Sequence, residues 1–80
     1  MSRYGDGAYR RIEVRNGRKL VASYVLTRSD QTYPPRFWLS MYQRGSKLDL
    51  AQNCPAAEIR RVLGDVLVDA IWAGFRVVSK

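Results

Sequence analysis

The chain predicts an α+β fold: a four-stranded antiparallel sheet followed by one C-terminal helix (β-β-β-β-α), with the helix packed on one sheet face. Three observations carry this expectation. Apolar and polar residues alternate with period two up to Leu50. The pattern changes to a helical three-and-four spacing after Pro55. Between the first two alternating runs stands Asn16-Gly17, a hairpin signal. With 80 residues, the chain is expected to form one domain over 8–80 behind a short tail at 1–7, where Gly5-Asp6-Gly7 does not favour regular structure.

The first strand is read as Ala8–Arg15 (AYRRIEVR) and the second as Lys19–Thr27 (KLVASYVLT). A type I′ turn with Asn16 and Gly17 at its centre suits both residues, because both central positions need a positive φ. That turn sets Arg15 opposite Arg18, Ile12 opposite Val21 and Tyr9 opposite Tyr24. Residues paired directly across two strands share a face. One face then gathers Ala8, Ile12, Val14, Val21, Ser23 and Val25 for the core, interrupted by Arg10. The other carries Tyr9, Arg11, Glu13, Arg15, Arg18, Leu20, Ala22, Tyr24 and Leu26.

Arg28–Pro35 reads as a loop, since Pro34-Pro35 cannot sit in a central strand. Arg36–Arg44 (RFWLSMYQR) alternates cleanly, with Phe37, Leu39 and Met41 inward and Arg36, Trp38, Ser40, Tyr42 and Arg44 outward. Gly45-Ser46 turns the chain into a short fourth strand, Lys47–Leu50, with Leu48 and Leu50 inward. The helix begins at Pro55 with Cys54 or Asn53 as its cap. Ile59, Val62, Leu63, Val66, Leu67, Ala70 and Ile71 form its apolar stripe. Glu58, Arg61, Asp65 and Asp69 form its polar face, with Arg61 able to pair with Glu58 or Asp65. Gly74 stops the helix. Phe75–Val78 fits either a helical tail or a short strand.

Composition narrows the function classes. Fourteen Lys+Arg, mostly arginine, oppose seven Asp+Glu, for a net charge of +7. Such a balance points to nucleic acid or another acidic partner. There is no histidine and one cysteine. That excludes the usual zinc sites, Ser–His and Cys–His catalysis and an internal disulfide. No glycine-rich phosphate loop is present, and the scattered acids suggest no catalytic pair. No apolar run reaches the length of a membrane span. The expectation is a non-catalytic cytoplasmic binding module with neither cofactor nor metal.

The sheet face left uncovered by the helix is where binding is expected. It is predicted to collect Tyr9, Tyr24, Trp38 and Tyr42 among Arg11, Arg15, Arg18, Arg36 and Arg44, with Lys47 at the edge. Rings stack on unpaired bases while guanidinium groups follow phosphates, so the expected partner is single-stranded DNA or RNA. The same residues also suit an ordinary open sheet face or a protein interface. On the helix, Val68, Trp72 and Phe75 widen the apolar stripe. They fit either a terminal cluster within one chain or a homodimer interface, and dimerisation suits so small a core.

The order of these elements resembles the single-strand-binding domain of the positive-cofactor-four transcriptional coactivators and the Pur-type proteins. The stretches that carry the likeness are PPRFWLSMYQ, GSKLDL and AAEIRRVLGDVL. Gly45, Lys47, Leu48 and Leu50 match the family's turn and short strand. Arg36 and Trp38 match the residue types that meet DNA in the family. The resemblance implies a curved four-stranded sheet with one helix, a dimer, and a role in regulating transcription or replication. A second class stays open. Compact arginine-rich chains of this length also occur among phage or mobile-element proteins that inhibit a host machine by protein–protein binding, such as anti-CRISPR proteins.

Overall fold

The computed structural model describes residues 9–29, 31 and 33–79. The tail expected at 1–7, Ala8 and the side chain of Tyr9 lie outside the described residues. The elements follow as β1 (Tyr9–Asn16), β2 (Lys19–Ser29), β3 (Arg36–Gln43), β4 (Ser46–Cys54), α1 (Ala56–Trp72) and β5 (Arg76–Ser79). The five strands form one sheet in the order β4-β3-β2-β1-β5, antiparallel throughout. The general class is the expected α+β, with one strand more than expected. No helix among the described residues is long and apolar enough to cross a membrane.

The β1–β2 hairpin differs from the expected one. Asn16 pairs with Lys19, so Gly17 (φ 64°) and Arg18 form the turn. A positive φ at the first central position, occupied by glycine, is the type II′ pattern, not type I′. Val21 then forms a bulge: Arg15 pairs with Leu20, and Val14 pairs with Ala22. Together the shifted turn and the bulge move the register by an odd number of residues, which exchanges the two faces of β2. Ile12 sits opposite Tyr24, not Val21, and Tyr9 sits opposite Thr27, not Tyr24. Ala22, Tyr24 and Leu26 therefore belong to the helix side, and Ser23 and Val25 to the open side.

β3 is oriented as its alternation requires, and Leu39 is fully buried at the centre of the core. The chain reverses at Arg44-Gly45, where both φ values are positive (53° and 78°). This is the type I′ signature expected at the first hairpin. β4 runs to Cys54, well beyond the expected end at Leu50, because bulges at Leu50 and Asn53 (φ 52°) absorb its irregular pattern. Leu48 pairs with Met41 on the helix side, yet it is largely exposed. α1 does not cover that end of the hairpin.

α1 starts directly from β4, with Pro55 in extended conformation at the N-cap position and no side-chain cap. The expected Cys54 or Asn53 cap is not formed; the Cys54 thiol donates to the Gln52 carbonyl at 3.2 Å. Ile59 and Ala70 are buried, and Val62, Leu63, Val66 and Leu67 pack against the core. Ile71, expected on this stripe, faces solvent. At the C-terminus the Phe75 N–H donates to the Ala70 carbonyl and the Gly74 N–H to the Ile71 carbonyl, both at 3.0 Å. With Gly74 at φ 86°, this is a Schellman motif. It reverses the chain so that Phe75 packs on the core and Arg76–Ser79 add to the free edge of β1.

Candidate nucleic-acid interface

The face opposite α1 has no second layer among the described residues, and the strand registers place its side chains in cross-strand rows. Arg36 follows Ser29. Trp38 follows Thr27. Arg11, Val25, Ser40 and Asp49 form the next row. Val78, Glu13, Ser23, Tyr42 and Lys47 form the row after it, and Arg76 with Arg15 closes the series beside Leu20. Successive rows are about 7 Å apart along the strands, so Trp38 and Tyr42 lie about 13 Å apart on β3.

The cations sit on both margins of this face. Arg11, Arg15 and Arg76 occupy the β1–β5 side, and Arg36 and Lys47 the β3–β4 side. The sequence pattern does not mark Arg76 for this face, because β5 is only four residues long. Its pairing with Arg15 sets two guanidinium groups opposite each other, and like charges in that position disfavour folding. Glu13 relieves this: its Oε1 accepts from Arg15 Nε at 3.0 Å. Glu13 and Ser23 are buried at the centre of the face, so the middle of the sheet is the less accessible part.

Arg36 has a structural attachment. Its Nε donates to Asn53 Oδ1 at 3.1 Å, and its Nη2 donates to the Asn53 carbonyl. The guanidinium thus fastens the start of β3 to the bulge that ends β4. Asp49 is held by Ser40 Oγ at 3.0 Å and Gln52 Nε2 at 2.9 Å, with Lys47 Nζ 3.8 Å away. Lys47 is therefore partly neutralised. Arg11 and Arg76 make no ion pair among the described residues.

The structure gathers Arg11, Arg15, Arg36, Trp38, Tyr42 and Lys47 on one face. Arg18 and Arg44 stand at the two hairpin turns, beyond its rim. Tyr24 is not part of it. The register change places Tyr24 on the helix side, 9% exposed, where burial raises its phenol above the ordinary tyrosine range. There it lines an open groove of about 230 Å³ with Gln43, Val66, Asp69 and Phe75. Of the expected dimer residues, Val68 and Trp72 are exposed, whereas Phe75 is half-buried against the core. Comparison with protein-family models, curated proteins and solved structures gives no match.

Proposed function

We propose that the protein binds single-stranded nucleic acid across the open sheet face and performs no chemistry there. The observation that carries this reading is the placement of Trp38 and Tyr42 on one face of β3 between two margins of cations. Trp38 and Tyr42 stack on bases. Arg11, Arg15 and Arg76 follow the backbone on one side, and Lys47 and Arg36 on the other. Trp and Tyr suit this task because every base has a flat face, so stacking needs no particular sequence. A role in transcription or replication, the DNA-or-RNA choice and a cytoplasmic location belong to the same proposal.

The test is titration of labelled single-stranded and duplex oligonucleotides at two salt concentrations. About five neutralised phosphates give a log–log salt slope near −3.5 for a single strand. Trp38→Ala should weaken binding by about 1–3 kcal/mol and leave the slope nearly unchanged, since stacking is lost and charge is kept. Arg11→Ala and Arg76→Ala should each reduce the slope by about 0.7. Equal affinity for both nucleic-acid forms with Trp38→Ala silent overturns the reading and favours an acidic protein partner.

A further inference from the structure

On α1 the outward face carries a second repeat, independent of the stripe that meets the sheet. Ala57, Arg61, Gly64, Val68 and Ile71 recur at alternating spacings of four and three residues, with Trp72 beside the last. This is the spacing of a helix–helix seam. Its C-terminal half is bulky and uncovered: Trp72 is 85% exposed, Ile71 63% and Val68 52%. Its N-terminal half contains Ala57 and Gly64. Glycine is a poor choice inside a helix, and nothing within the chain requires it at position 64, because a Cβ there would meet no atom within 4 Å. The charges divide in the same direction. Glu58, Arg60 and Arg61 stand toward the start, a balance of one positive charge with Arg61 Nη2 paired to the Glu58 carboxylate, while Asp65 and Asp69 follow and make no ion pair among the described residues.

A seam with a narrow half of net positive charge and a broad, acidic half complements itself when one helix is reversed. We infer that a second copy of this chain covers it, through antiparallel pairing of the two α1 helices about a two-fold axis. Gly64 and Ala57 of each copy then receive Val68, Ile71 and Trp72 of the other, and Arg61, held on one side by Glu58 of its own helix, faces Asp65 and Asp69 across the axis with its remaining N–H groups. A parallel pair would instead set the bulky ends and the like charges against each other. One 17-residue helix is about 25 Å long, which places the contact toward the small end of specific interfaces. Association is therefore reversible and concentration-dependent. The inference does not rest on nucleic-acid binding.

Sedimentation equilibrium from about 5 to 500 µM tests it. The wild-type mass should rise from 9.2 kDa toward twice that value. Trp72→Glu should stay monomeric. So should Gly64→Leu, which raises helix propensity and hence separates lost pairing from lost folding; both variants should keep the wild-type circular dichroism. Arg61→Asp should weaken association at least tenfold, and adding Asp69→Arg should restore most of it. In a Cys54→Ser background, chains carrying Ala57→Cys and Ala73→Cys should cross-link to each other with a short bis-maleimide, and neither to itself. A monomer at every concentration, wild-type association of Gly64→Leu, or efficient cross-linking of Ala73→Cys to itself overturns the inference.

Discussion

Tyr24 is the residue on which register and chemistry meet. The shift at Val21 carries its ring from the solvent side of the sheet to the helix side, and its phenol then titrates higher than in an unfolded chain. The sign of the consequence follows from proton binding. Above about pH 10 the unfolded chain releases this proton while the folded chain still holds it, so stability falls as pH rises through that window. The contribution of the neutral phenol is complete below it. Tyr24→Phe, which cannot ionise, should leave the melting temperature at pH 7 close to wild type and should fall less steeply above pH 10. Superimposable melting temperature–pH curves for the two proteins would show that the hydroxyl is already solvated in the groove it shares with Gln43 and Asp69.

At the scale of elements, the alternation in Arg36–Gln43 is unbroken, and β3 with its Trp38 and Tyr42 is legible from the sequence alone. β2 alternates less cleanly, with Leu20, Val21 and Ala22 consecutive and Val25 beside Leu26, and its facing depends on which residue of the first run is bulged, a choice that no local feature assigns to Val21. That single position removes Tyr24 from the open face. The pattern of β4 ends early at Leu50 because Leu50 and Asn53 fall out of the ladder as bulges while the strand continues to Cys54. β5 holds two adjacent valines in four residues, too few to show a period, so neither the strand nor the facing of Arg76 is legible. Gly74, by contrast, is legible as a helix stop, and the Schellman bonds at Ala70 and Ile71 explain why. An alanine there must adopt φ 86°, at about 1–2 kcal/mol. Gly74→Ala should lower the melting temperature by about 4–8 °C per kcal/mol in a domain of this size, with the spectrum of the folded state retained. An unchanged melting temperature would mean that α1 ends in another way in solution.

Over the whole molecule, the sheet joins two kinds of pairing. β1 to β4 form a meander whose partners are close in sequence, whereas Arg15 meets Arg76 across nearly the full chain. Loops of roughly 60 residues close slowly compared with hairpins. The expected order of folding is the meander first, then α1 on its face, then β5. Until then, the outer edge of β1 displays unpaired N–H and C=O groups beside Ile12 and Val14, a template that a neighbouring chain can occupy. The last four-residue strand acts as a timed seal on that edge. Val77→Pro, which disrupts the pairing opposite Val14, should turn refolding at high protein concentration toward light-scattering aggregates while dilute refolding still recovers the meander and helix. Equal scattering from wild type and variant would show that β1 is protected before β5 arrives. On this expectation, speed of closure as much as strength of closure sets the concentration at which the chain refolds without aggregating.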